Sequence, residues 1–148
     1  MERRSSNLNL IYILAVFLLL AITLISPAKA QVPTAQPVVI VVMFWMEGCP
    51  YCHTVLDEVL PPLLEKFGSQ LEVNLIEVVT TEDIELLYET AAAYGIPKDR
   101  VNVPFLIIGE HVLIGSKQVP DELPGFIEQY LSQGGTEWPV GLAPETVE

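Results

Sequence analysis

An α/β domain of element order βαβαββα, built on a four-stranded mixed sheet flanked by helices, is predicted by three features of the chain. The run Val38-Val39-Ile40-Val41-Val42-Met43-Phe44-Trp45 is apolar on both faces, as a central strand covered by helices on either side must be. Apolar residues at helical spacing follow it, and then a second strand-like run, which together give a parallel pair joined by a right-handed crossover. Further on, two short apolar runs flank Gly109-Glu110, the pattern of a hairpin.

Each element has its own signals. After the first strand, Pro50 starts a helix whose apolar stripe is Val55, Leu56, Val59, Leu60, Leu63 and Leu64. Pro61-Pro62 must kink it, because their ring nitrogens cannot donate to the preceding turn, and Phe67-Gly68 ends it. Leu71 to Val79 is the second strand. Thr80 or Thr81 then caps a helix whose first turn carries Glu82, Asp83 and Glu85, as the helix dipole favours, and Tyr94-Gly95 closes it. Pro104 to Ile108 and His111 to Gly115 form the hairpin, and Asp121 to Leu131 the last helix. The domain therefore spans 38–131. Beyond it, Gly134-Gly135-Thr136-Glu137-Trp138-Pro139 with Gly141 and Pro144 reads as part of a flexible C-terminal tail, 132–148.

The first residues stand apart from this domain. Arg3 and Arg4 precede the apolar run Leu10 to Ile25, and Pro27-Ala28-Lys29-Ala30 offers the small residues a signal peptidase reads, with cleavage before Gln31. Residues 1–30 are expected to be a signal peptide, or an N-terminal membrane anchor, since the run is long for the first and slightly short for the second. Either way the remainder is expected outside the cytoplasm, in the periplasm or cell envelope. Gln31 to Pro37 reads as a leader.

The chain has 148 residues with seven Lys and Arg against nineteen Asp and Glu. Residues 1–30 hold Arg3, Arg4, Lys29 and Glu2, so the remaining 118 carry four basic residues against eighteen acids, a formal −14. That is one domain of ordinary size. Its charge argues against nucleic acid or an anionic membrane surface as partner, and suits a solvated surface or a basic client.

Cys49 and Cys52 are the only cysteines, in Cys49-Pro50-Tyr51-Cys52 directly after the first strand. A bridge across so short a loop constrains the unfolded chain little, so a purely structural role explains it poorly. A helix starting at Pro50 holds one sulfur at its N-terminus and brings the second within bonding reach one turn later, which suits reversible disulfide chemistry. With His53 the segment also satisfies the C-x-x-C-H pattern of covalent c-type haem. Against haem, Met1, Met43 and Met46 are the only methionines, so none lies downstream as an axial ligand and only His111 is left. A structural zinc would need all of Cys49, Cys52, His53 and His111, and no metal is expected. A non-catalytic binding module is the remaining alternative.

Phe44-Trp45-Met46-Glu47-Gly48-Cys49-Pro50-Tyr51-Cys52 is similar to the active-site segment of the thioredoxin superfamily, and Tyr94-Gly95-Ile96, Val103-Pro104 and Gly109-Glu110 resemble that family's next landmarks in order. The resemblance runs from about Val38 to Leu131. It implies a thioredoxin fold and an extracytoplasmic thiol-disulfide oxidoreductase with a redox-active disulfide and no bound cofactor. It further implies that Pro104 follows a cis bond beside the dithiol, and that Pro50, Tyr51, Val103 and Pro104 meet the substrate. Cys49, at the helix start, is then the nucleophile and Cys52 the resolving thiol. Expected partners are client proteins with thiols or disulfides and a membrane redox partner that resets the pair.

Several positions depart from the family's pattern. Thioredoxins place a buried Asp just before Phe-Trp to move a proton off the second cysteine, where this chain has Met43. Glu47 and His53 are the nearest candidates to carry that proton instead. Pro50-Tyr51 is the dipeptide of glutaredoxins, yet their preceding basic residue is replaced by Met46-Glu47-Gly48. Their glutathione-binding segment appears only as Gly115-Ser116-Lys117-Gln118, so glutathione is not an expected partner. Pro97-Lys98-Asp99-Arg100 is an extra piece relative to thioredoxin, expected to alter the surface a client meets.

Overall fold

The computed structural model describes residues 36–144, and the signal or anchor segment expected at 1–30 lies outside them. Strand β1 (Val39–Trp45) is the centre of a four-stranded sheet of order β2-β1-β3-β4. It runs parallel to β2 (Leu71–Glu77), with Val39 opposite Leu71 and Trp45 opposite Glu77. On its other side β3 (Phe105–Ile108) is antiparallel to it, Val41 facing Ile108 and Phe44 facing Phe105, and β4 (His111–Ile114) closes the hairpin. The observed order is βαβαββα.

Because successive side chains of a strand alternate between faces, β1 builds two cores. Val39, Val41 and Met43 join Leu106 and Ile108 beneath the first and last helices, against Val55, Leu60, Leu63, Val119, Leu123 and Ile127. Val42 and Phe44 join Phe105 and Ile107 on the opposite face, against Leu87 and Ala91 of the middle helix. The Phe44 and Phe105 rings meet edge to face with centroids 6.2 Å apart. This double coverage is why β1 carries no polar alternation.

Helix α1 follows the dithiol in three stretches: Pro50–Thr54, a π-helical turn Val55–Val59, and Leu60–Phe67. The kink expected at Pro61-Pro62 is accommodated by that wider turn. In regular α geometry the two prolines would meet the carbonyls of Asp57 and Glu58 with rings and no donor. Instead the Leu60 N–H donates back to the Val55 carbonyl, one residue further than usual, and the register shifts before the prolines arrive.

Helix α2 (Thr81–Ala93) begins with a reciprocal cap. The Thr80 hydroxyl oxygen accepts the Asp83 N–H at 3.2 Å, while an Asp83 carboxylate oxygen accepts the N–H groups of Thr80 and Val79 at 2.7 and 3.0 Å. These bonds, the Thr80 N–H first, hold the Asp83 carboxyl below its ordinary pKa. A depressed folded-state value means that the carboxylate stabilises the fold above the ordinary carboxylate range and loses that effect as pH falls through its folded value. Thr80→Ala is expected to cost about 1 kcal/mol at neutral pH. Asp83→Asn is expected to lower the urea midpoint at pH 7 and to leave it nearly unchanged near pH 2, measured by denaturant unfolding at both.

The last helix differs from the expectation of 121–131. Helix α3 spans Gly115–Gln133, with Pro120 and Pro124 inside it. A start at Asp121 comes too late, because the apolar stripe that fixes the helix begins earlier, at Val119, and continues through Leu123 and Ile127, all three with no exposed surface. An interior proline costs about 3 kcal/mol, so the two cost about 6 kcal/mol, and full burial of three aliphatic side chains at roughly 1.5–3 kcal/mol each is large enough to offset them. The Gln118 side chain accepts the Ile114 N–H at 3.1 Å, tying the first turn to β4.

The segment after α3, expected to be part of a flexible tail, is docked on the domain as far as Leu142. Residues 145–148 lie outside the described chain. The pairing of β1 with β3 begins only at Val41, which leaves backbone groups of Val38 and Ile40 unmatched on that side. Thr136 supplies them: its N–H donates to the Val38 carbonyl at 2.9 Å, and its hydroxyl oxygen accepts the Ile40 N–H at 2.7 Å. Gly135 permits the approach, since a Cβ there would collide with the Val38 backbone. Trp138 and Leu142 then cover the second core. Among the described residues no helix is long and apolar enough to cross a membrane.

Candidate functional site

The carboxyl end of β1 delivers the dithiol. A turn closed by the Cys49 N–H on the Met46 carbonyl, at 3.1 Å, leads into α1 with Cys49 as its capping residue in extended conformation. Pro50 takes the first helical position, where a missing N–H costs nothing. Cys49 and Cys52 are joined as a disulfide, their Cα atoms 5.2 Å apart. Their surroundings differ sharply. Cys49 is partly exposed, whereas Cys52 has no exposed surface. The Cys52 N–H lies 3.1 Å from the Cys49 sulfur, a backbone donor aimed at the atom that would carry negative charge on reduction.

Across from the dithiol stands the segment entering β3. The Val103–Pro104 peptide bond is cis, Pro104 is buried, and the Val103 carbonyl oxygen lies 3.8 Å from the Cys49 sulfur. The structure thus brings Cys49, Cys52, Val103 and Pro104 together, with Pro50 and Tyr51 on the exposed rim; Tyr51 is 64% exposed. Met46 and Val79 are also exposed, and the Val78 N–H donates to the Trp45 carbonyl at 2.8 Å, which sets Val79 at the same end of the sheet.

This is a thioredoxin-like fold. The sheet order, the dithiol at the end of the central strand and the cis proline opposite it carry that assignment. No protein-family model matches the chain, and no curated protein matches it. Among solved structures, the solution structure of a thioredoxin from Thermus thermophilus is similar at 24% identity, over 66% of this chain and 76% of that chain, with a TM-score of 0.47.

Within this thioredoxin-like domain, the His53 ring meets the backbone of Glu47. The His53 ring Nε2 is 2.6 Å from the Glu47 carbonyl oxygen. A carbonyl can only accept, so Nε2 carries a proton and donates it there. The ring edge also meets Trp45, with centroids 6.2 Å apart. His53 is thereby a latch between the loop before Cys49 and the first turn of α1. The same nitrogen is the one a haem iron would need, and the C-x-x-C-H reading fits this arrangement poorly.

Met43 is fully buried in the first core, and among the described residues the one buried polar side chain is Thr90. No buried carboxylate stands behind Cys52. Gly115-Ser116-Lys117-Gln118 forms the first turn of α3. In the extra piece, Lys98–Arg100 is a short 3₁₀ turn, held to α2 by the Lys98 ammonium 4.2 Å from the centre of the Tyr88 ring. A groove of about 800 Å³ lined by Tyr94, His111, Tyr130 and Trp138 includes neither cysteine. Burial, with lesser repulsion from Tyr130 and Glu110, raises the Tyr94 phenol pKa, and its hydroxyl donates to the Gly109 carbonyl at 3.2 Å.

The site holds one contact for which the sequence gives no signal. Asn102 Oδ1 accepts the N–H of Val103 at 2.9 Å. Neither spacing nor motif marks this asparagine.

Proposed function

We propose that this protein is an extracytoplasmic thiol-disulfide oxidoreductase that exchanges disulfides with client proteins through Cys49 and Cys52. The observation that carries the reading is the asymmetry of the pair: a partly exposed cysteine with a backbone N–H aimed at its sulfur, and a fully buried cysteine a turn away. In the oxidising direction a client thiolate attacks the Cys49 sulfur, the Cys49–Cys52 bond breaks, and Cys52 leaves as a thiolate. A second client thiolate then displaces Cys49, so the client gains a disulfide and the protein is left with two thiols. The reducing direction is the reverse sequence. The location outside the cytoplasm is supported by Arg3, Arg4, the apolar run Leu10 to Ile25 and the small residues before Gln31. A membrane redox partner would then reset the pair.

The test is equilibration of the purified protein against glutathione and dithiothreitol buffers, with the two redox forms separated after acid quenching. Reversible two-electron cycling is expected. A midpoint near about −120 to −180 mV assigns it to oxidation or isomerisation, and one near about −270 mV to reduction. A pair that reaches no equilibrium with either buffer would overturn the proposal.

A further inference from the structure

We propose that Asn102 is a specificity-determining residue of the dithiol site: its side chain occupies the Val103 N–H, and a client polypeptide must displace it before exchange, whereas a small disulfide need not. The inference rests on the exchange reading above. Val103 lies just outside the sheet, since β3 begins at Phe105, so neither of its backbone groups is used by the strand ladder. Its carbonyl oxygen faces the Cys49 sulfur at 3.8 Å, and among the described residues no backbone N–H donates to it. Because the Val103 carbonyl oxygen is 3.8 Å from the Cys49 sulfur, a polypeptide that brings its own sulfur to Cys49 passes within hydrogen-bonding reach of the Val103 backbone. An extended segment in that place pairs best when the two facing residues exchange both N–H···O bonds.

Half of that pair is open and half is closed. The carbonyl is free to accept, but the N–H is already spent on Asn102 Oδ1 at 2.9 Å. Asn102 is exposed, so it can rotate into solvent without disturbing packing, and its removal leaves the Val103 N–H to water. The client then competes with water instead of with a tethered carbonyl. The net worth of one neutral hydrogen bond sets the size of the effect, about three- to tenfold in client affinity. Substrates without a backbone at that position are indifferent to it.

The experiment follows single-turnover oxidation of the reduced protein by two disulfides. One is the homodimeric disulfide of the peptide acetyl-Gly-Val-Cys-Val-Gly-amide, the other bis(2-hydroxyethyl) disulfide. In each, the Cys49 thiolate attacks one substrate sulfur and expels a thiolate. Cys52 then attacks the Cys49 sulfur and expels the second, so the substrate is reduced to two thiols as the protein is oxidised. Asn102→Ala is expected to lower the half-saturating peptide concentration about three- to tenfold at an unchanged limiting rate. With the small disulfide its rate should stay within about twofold of wild type. Asn102→Asp keeps an acceptor and should not gain the advantage. Amide exchange at Val103, read by NMR, should quicken in Asn102→Ala and not in Asn102→Asp, which reports the bond independently of turnover. An unchanged peptide dependence in Asn102→Ala, an equal change with both disulfides, or an unaltered Val103 amide would each overturn the assignment. Wild-type protein inert to both disulfides would instead bring down the exchange reading, and this inference with it.

Discussion

Reduced Cys52→Ser protein mixed with a client disulfide is expected to accumulate as a covalent adduct through Cys49, while Cys49→Ser forms no adduct and exchanges at the background rate. The difference follows from access. Cys49 caps α1 with its sulfur partly exposed and facing the Cys52 N–H at 3.1 Å, so its anion meets both a hydrogen-bond donor and the positive end of the helix dipole. A donor and a helix N-terminus so placed favour the thiolate, the attacking form, over the thiol. Cys52 has no exposed surface, so its task is confined to attack on the neighbouring sulfur. Without Cys52 the mixed disulfide has no internal route to resolution. Mass spectrometry of alkylated samples measures both variants in one experiment. Adducts of equal yield from the two would contradict the division of roles.

The elements that the sequence predicts correctly are those where one physical requirement dominates. Val38 to Trp45 has to be a central strand because no face of it tolerates water. A threonine ahead of an acidic turn has to start a helix, and the structure selects Thr80 over Thr81 because Thr80 and Asp83 each satisfy the other's backbone. The bonding reach of Cys49 and Cys52 was legible on simple geometry: two cysteines one helical turn apart lie close enough to join, as they do. Where the reading failed, two requirements competed. A helix starting at Asp121 leaves out Val119, whose burial belongs to a helix that begins at Gly115 despite Pro120 inside it. Gly134-Gly135 argued for a loose end, yet Gly134 terminates α3 at a φ of 107°, and Gly135 lets the backbone close on Val38. Local composition cannot report that β1 has unmatched groups at Val38 and Ile40, because that shortage is created by where β3 ends. Asn102 was invisible on similar grounds: its meaning depends on a sulfur more than fifty residues away in sequence, and on a proline that turns Val103 toward it.

Met43→Asp is expected to be among the most destabilising single substitutions in the domain. Met43 has no exposed surface and lies opposite Leu75 and Leu106 in the sheet, so a carboxylate there finds an apolar wall and no cation. Leaving a buried charge without a partner costs about 3–5 kcal/mol, a large share of the roughly 5–15 kcal/mol that holds a domain folded. Burial raises the folded-state pKa of the introduced carboxyl above its unfolded value near about 3.9. Between the two values the unfolded chain has lost its proton and the folded one has kept it, so stability falls as pH rises and levels off above the folded value. Urea unfolding at pH 4 and pH 8 measures that slope, and equal losses at both would sink the argument. Met43 is thus an apolar support that keeps β1 sealed on the face of the first core.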